Sequence, residues 1–381
     1  MNEFKFLFIL IPTALLSFGL SFFLTPKLIT LAIRKKWYDL PSPRRVHKSP
    51  LPRIGGLAMF AGFTVAVGAS LLINFVDPHF WQLDDMWRIL LTLLGATLVT
   101  GVMLYDDLYY LRPLPKLVTQ IVAALLVILP HFLNSSPATT LISEIKNPFS
   151  GDKILFDPLF AVFFTVFWIV GMMNTVNVTD GLDGLAGGVV CISALVLFVE
   201  NVYSQRNNPF QFTSSLLALT LAAAILGFLP FNWHPSKIIM GDCGAMFLGY
   251  ILAIISIIDG AKLAAMLLLI GFPVLDYAWV IFLRLYRKRK PTNADRTHLH
   301  HRLLDMGYSQ RQIVLFFYLI TLIFGVVGIL IPQQPGAKLI ALVALGLLLL
   351  PVLFYSMRRA GRKSFDLPPS NEEREKLETK N

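Results

Sequence analysis

The amino-acid sequence predicts an all-α, polytopic integral membrane protein of about eleven transmembrane helices, N-terminus outside and C-terminus inside. Three observations carry that prediction. Of 381 residues, 55% are hydrophobic and only 15% charged, with a mean hydropathy of +0.65, outside the range of soluble domains. The apolar residues gather into uninterrupted stretches of about 17 to 22, the length a helix needs to cross a ~30 Å hydrocarbon core. Lysine and arginine crowd the loops on one side of those stretches.

The first stretch, 4–24, carries Glu3 beside Lys5 and no small-residue cleavage site, so it reads as a retained helix rather than a secretory signal. The second, 54–75, follows the basic loop PRRVHKSPLPRIGG at 43–56. The third, 88–105, ends on Asp106 and Asp107, and the fourth, 117–133, opens beside Lys116. The fifth, 156–173, runs into NTVNVTDGLDG at 174–184, and the sixth, 184–200, contains Cys191. The seventh, 212–230, leads into FNWHPSKIIMGDCG at 231–244, where the eighth, 244–258, begins beside Cys243. The ninth, 262–281, follows after only a few residues around Asp259 and Gly260. A basic run and NADRTHLHH at 293–301 precede the tenth, 312–331, and the eleventh, 337–356. Residues 1–360 read as one membrane domain and 361–381 as a polar, mobile tail.

With the N-terminus outside, roughly 26 of the 33 lysines and arginines fall in inward loops and the C-terminal tail. All five polar interruptions then share the cytoplasmic side, which predicts a single active site assembled from loops. Two cysteines in the membrane phase support neither a disulfide framework nor a zinc site. No internal repeat is evident, which weighs against inverted-repeat transporters.

Asp106 and Asp107 repel one another at the negative end of a helix, so a divalent cation or Lys116 is expected to relieve them. Lys116 and Gln120 share a helical face. Asn174 and Asn177, then Asp180 and Asp183, supply hard oxygens suited to Mg²⁺, with Gly181 and Gly184 permitting close backbone approach. Asp242 has two open readings: an N-cap of the eighth span, or a functional group in company with Asn232, His234 and Lys237. His298, His300 and His301 lack a thiolate or fourth ligand for zinc and suit hydrogen bonding to a diphosphate or sugar, with His298 and His301 expected to face together on a short helix. Arg44, Arg45 and His47 either meet a lipid phosphate or only mark topology. Together these parts describe a cytoplasmic, metal-assisted site for a diphosphate-bearing donor and a lipidic acceptor. P-loop, kinase and dinucleotide-binding fingerprints are absent from the sequence, as is the D-G-x-x-A-R run of CDP-alcohol phosphatidyltransferases.

These motifs resemble the polyprenyl-phosphate N-acetylhexosamine-1-phosphate transferase family. The likeness rests on DD at 106–107, N-x-x-N-x-T-D-G-x-D-G at 174–184, F-N…M-G-D-x-G at 231–244 and D-R-x-H-x-H-H at 295–301. It implies ten or eleven transmembrane helices and transfer of a sugar 1-phosphate from a UDP-sugar to undecaprenyl phosphate, with release of UMP. It also implies a Mg²⁺ site, Mn²⁺ being an allowed substitute, in a bacterial inner membrane, no nucleic-acid partner, contact with membrane lipids, and a homodimer left open. H-L-H-H followed by RLLDMGYSQRQ is similar to the starter enzymes of O-antigen and teichoic acid synthesis, which use UDP-N-acetylglucosamine. Tyr110, where the peptidoglycan-type pattern has lysine, points the same way. Phospho-MurNAc-pentapeptide transferase is the competing branch, and a secondary transporter is the rival from another class.

The resemblance implies Asp242 as the main Mg²⁺ ligand with Asn177 helping, and Asp106 or Asp107 orienting or deprotonating the acceptor phosphate. Lys116, His298, His300 and His301 would offset phosphate charge. Asn174, Asp180, Asp183, Asn232 and Arg296 would contact nucleotide, diphosphate or sugar. A phosphate with a second pKa of ~6 is largely dianionic at pH 7, so direct in-line attack is preferred to a covalent aspartyl-phosphate.

Overall fold

Each of the eleven predicted stretches is occupied by a helix in a computed structural model that describes residues 3–40, 49–77, 80–134, 140–147, 149–205, 212–258, 263–286, 298–331 and 336–359. The chain runs through α1 (Glu3–Lys35), α2 (Gly56–Leu71, prolonged by a 3-10 turn Leu72–Phe75), α3 (Leu83–Tyr109), α4 (Pro113–Asn134), α5 (Pro158–Thr179) and α6 (Leu185–Gln205). It continues through α7 (Phe212–Asn232), α8 (Gly241–Ile257), α9 (Leu263–Tyr286), the short α10 (Leu299–Asp305), α11 (Gln310–Leu330) and α12 (Ala337–Arg359). Among the described residues, 9 of these helices are long and apolar enough to cross a membrane, while α8 and residues 339–348 of α12 are shorter apolar helices. The fold is an all-α, polytopic membrane bundle.

Several helices outrun the stretches that predict them, and three of the extensions bear on the site. α1 continues past Pro26, although proline removes one helical hydrogen bond, which membrane helices tolerate. α3 carries Asp106 and Asp107 inside its last turn. α5 reaches Thr179, so Asn174 and Asn177 stand on a helix. The site is therefore built largely on helix ends, which hold side chains more firmly than loops. Two small antiparallel hairpins were not foreseen: β1 (Tyr38–Asp39) with β2 (Leu51–Pro52), and β3 (Glu144–Lys146) with β4 (Lys153–Leu155).

Helix α8 is the axis of the bundle, packed by α2, α3, α5, α6 and α7. It is apolar on every face, as a helix enclosed on all sides must be, and Asp242 is its one residue that is not buried. Glycine makes the enclosure close: a Cβ on Gly56 would overlap the backbone of Gly244, and one on Gly249 would meet the Met172 carbonyl at 2.8 Å. Asp242 is thereby held at the open end of a rigid, central helix.

Candidate active site

Asp106 and Asp107, at the C-terminal end of α3, face the helix dipole's negative pole. The fold answers with two cations and a second helix. Asp107 Oδ1 accepts the Asp242 backbone N–H at 2.9 Å and its Oδ2 accepts that of Cys243 at 3.0 Å. Asp107 thus caps α8 from across the interface, since α8 has no side-chain cap of its own. Asp242, whose N-cap reading was open, sits inside the first turn with its carboxylate turned elsewhere.

That carboxylate has two partners on opposite sides. Its Oδ1 accepts from Arg53 Nη2 at 2.8 Å, and its Oδ2 from Lys116 Nζ at 3.0 Å. Lys116 also pairs with Asp106 Oδ2, while Asp106 Oδ1 accepts the Leu111 N–H at 2.6 Å. Arg53 reaches Asp107 Oδ1 through Nε at 3.0 Å and Asp39 Oδ1 through Nη1 at 3.5 Å. Burial opposes the charge on Arg53, but Asp107, Asp242 and Asp39 together outweigh it, and its pKa lies above the ordinary arginine value.

Backbone pairing fixes this arrangement. Ile239 N–H donates to Pro52 O at 2.8 Å, Gly55 N–H to Ile239 O at 3.0 Å, and Gly56 N–H to Met240 O at 2.8 Å. Gly241, at φ +74°, turns the chain into α8 where a Cβ would lie 2.5 Å from both Arg53 O and Asp107 Oδ2.

Asp106, Asp107 and Asp242 each offer an oxygen, all within 4.8 Å of one another. With Asp39 they make four carboxylates against the two cations Arg53 and Lys116, a formal surplus of two negative charges. An all-oxygen donor set with that surplus fits a hard divalent cation such as Mg²⁺. Asn174 Nδ2 donates to Gln120 Oε1 at 2.9 Å, joining α5 to α4 one turn below Lys116, so helical register carries Asn177 toward the level of Lys116.

The segment 180–184 leans on the α7–α8 connection. Asp183 Oδ2 lies 2.6 Å from His234 Nδ1, and its Oδ1 accepts from Ser236 Oγ at 2.8 Å. Asn232 accepts the Gly184 N–H at 3.0 Å and donates to Ile238 O at 2.9 Å. Asp183 and Asn232, expected from the sequence as nucleotide or diphosphate contacts, also brace two site segments against each other. Tyr318 Oη donates to Gly184 O at 2.5 Å, bringing in α11. Asp180 is the C-cap residue of α5, half-buried.

The histidines meet this segment at Gly181, where an added Cβ would overlap the His300 ring. His298 is the N-cap of α10, outside helical periodicity, so its ring lies parallel to that of His300 at 6.0 Å, while His300 and His301 are 4.3 Å apart. Asp276 of α9 anchors the group: its oxygens lie 3.0 Å from His298 Nδ1 and accept the Leu299 N–H at 3.0 Å and Arg302 Nη2 at 2.9 Å. A carboxylate only accepts, so His298 Nδ1 carries the proton. Burial lowers the Arg302 pKa, with Asp276 opposing.

All five polar segments therefore touch at one end of the bundle. Arg296, Arg44, Arg45, His47 and the 361–381 tail lie outside the described residues. Arg53, Asp39 and Asp276 went unrecognised in the sequence. Asp276 had a signal, a lone acid within an apolar span, which is costly and rarely idle. Arg53 had none, because a basic residue beside a span is explained by topology alone.

Residues 86–260 match the model of glycosyl transferase family 4. The chain is 32% identical over 315 residues to a probable undecaprenyl-phosphate N-acetylglucosaminyl 1-phosphate transferase of Bacillus subtilis (strain 168), covering 81% of each chain. It is 32% identical over 321 residues to decaprenyl-phosphate N-acetylglucosaminephosphotransferase of Mycobacterium tuberculosis (strain ATCC 25618 / H37Rv), covering 79% of this chain and 77% of the relative. It is also 31% identical over 330 residues to phospho-N-acetylmuramoyl-pentapeptide-transferase of Campylobacter jejuni, covering 81% of this chain and 90% of the relative.

Proposed function

The chain belongs to glycosyl transferase family 4, and from that premise we propose that it transfers N-acetylglucosamine 1-phosphate from UDP-N-acetylglucosamine to undecaprenyl phosphate. An acceptor phosphate oxygen attacks the β-phosphorus of the donor. The new P–O bond forms as the bond from that phosphorus to the bridging oxygen breaks, and the oxygen leaves on UMP. The product is undecaprenyl-diphosphate-N-acetylglucosamine, the lipid that would open a cell-envelope polysaccharide.

The observation that carries this reading is the carboxylate cluster at 106, 107 and 242, with its formal surplus of two negative charges, lying beside Lys116 and linked through segment 180–184 to the histidines. Asp242 and Asp106 would hold Mg²⁺, with Asn177 helping. Bound there, Mg²⁺ would supply Lewis-acid stabilisation of the diphosphate charge. Asp106 also orients the acceptor phosphate, which is already largely dianionic and needs no strong base. Lys116, His298, His300 and His301 donate to the phosphates as charge builds in the transition state. Asp180 and Arg296 contact the donor, and Asp183 and Asn232 hold the segment that presents Asp180 and Gly181. The Lys and Arg distribution supports a site facing the cytoplasm, at the level of an embedded lipid's headgroup.

Purified protein with Mg²⁺, undecaprenyl phosphate and radiolabelled UDP-sugars tests this by UMP release. UMP from UDP-N-acetylglucosamine is expected; a preference for UDP-MurNAc-pentapeptide would move the chain to the other branch.

A further inference from the structure

We propose that Arg53 is a positioning residue of the transfer reaction, one that divides the two oxygens of Asp242 so that only one faces the cation position. The inference rests on the metal-assisted reading above. Arg53 Nη2 holds Asp242 Oδ1 at 2.8 Å, and its Nε holds Asp107 Oδ1 at 3.0 Å. Asp107 is committed through both oxygens to the N-terminus of α8. What remains between α3 and α8 is Asp242 Oδ2 opposite Asp106 Oδ2, and Lys116 Nζ stands between them, bonded to both. Those two oxygens are the ones left to hold a divalent cation, which would take the place of the Lys116 ammonium between them. Arg53 itself cannot drift: the residues on either side of it are tied to 239 and 240 by the backbone pairing of Pro52, Gly55 and Gly56, and its side chain is 13% exposed. A planar fork with donors at fixed spacing can span Asp107 and Asp242 together, whereas a lysine is a single point charge.

The experiment uses purified full-length wild type, Arg53→Lys and Arg53→Gln, with two readouts: Mn²⁺ binding by electron paramagnetic resonance without substrate, and UMP formation at saturating Mg²⁺. Removing the arginine charge leaves the cluster more negative, so Arg53→Gln is expected to bind Mn²⁺ at least as tightly as wild type. Its kcat is expected to fall about tenfold to a hundredfold, because Asp242 is no longer aimed. Arg53→Lys should restore wild-type Mn²⁺ affinity but not kcat. A kcat of Arg53→Gln within twofold of wild type would overturn the inference, and so would loss of Mn²⁺ binding together with turnover, which marks a general folding role. Rescue of kcat by lysine would also overturn it. Wild type that binds no Mn²⁺ would sink the metal reading itself, a result the variants cannot mimic.

Discussion

The carboxylate of Asp107, on α3, accepts the backbone N–H of Asp242 at 2.9 Å and so closes the first turn of α8, a helix 135 residues away in sequence. One residue of the acidic pair is therefore tied to the architecture of the site, and the other, Asp106, reaches Lys116. The side chain of Asp107 is 0% exposed. Its removal leaves Arg53 short of a buried partner and α8 without a cap, a loss of roughly 3 to 5 kcal/mol by analogy with broken buried pairs. Asp107→Ala should lower thermal stability in detergent far more than Asp106→Ala does, a contrast read by differential scanning fluorimetry.

Gly56 lets α2 lie backbone to backbone against α8 at Gly244. Gly56→Val is expected to force the helices apart and destabilise by at least the ~1 to 3 kcal/mol of ordinary overpacking. Gly68→Ala, on the same helix with open space around it, should leave both thermal stability and activity unchanged.

Gly181 leaves room for the ring of His300, which is buried and set between two other histidine rings. Gly181→Ala should displace His300 and lower kcat on the order of a hundredfold with little change in melting temperature. Gly171→Ala, inside α5 where nothing lies within 4 Å, is the control expected to turn over normally.

Asp276 holds His298 and Arg302 at once, and Arg302 is 1% exposed. Asp276→Ala should remove that ion pair and loosen α10 from α9, making the segment near 298 more sensitive to limited proteolysis. Asp276→Asn keeps the shape and should retain more protection than alanine while still losing activity, because an amide can also donate and no longer fixes the His298 proton on Nδ1.

The helices were legible because hydrocarbon demands long apolar stretches, and that demand leaves its mark residue by residue. Their ends were less so: the polar residues at 106 and 107, and at 174 and 177, read as interruptions yet continue α3 and α5. The polar groups that the fold brings together were legible as residue types in unusual density, but their wiring was not. Arg53 meets Asp242 across 189 residues, and a lone arginine beside a span looks the same whether it anchors a lipid headgroup or a carboxylate. The bracing bond of Asn232 was equally invisible, because nothing local shows that the Gly184 N–H, buried by folding, needs its carbonyl.

The most direct test follows the β-phosphorus. With UDP-N-acetylglucosamine labelled with ³²P at the β-phosphate, undecaprenyl phosphate and Mg²⁺, the label should pass into the lipid phase in step with UMP release, and EDTA should stop both. Label retained in the aqueous phase as UDP while the sugar moves to lipid would show simple glycosyl transfer, and would contradict attack at the β-phosphorus.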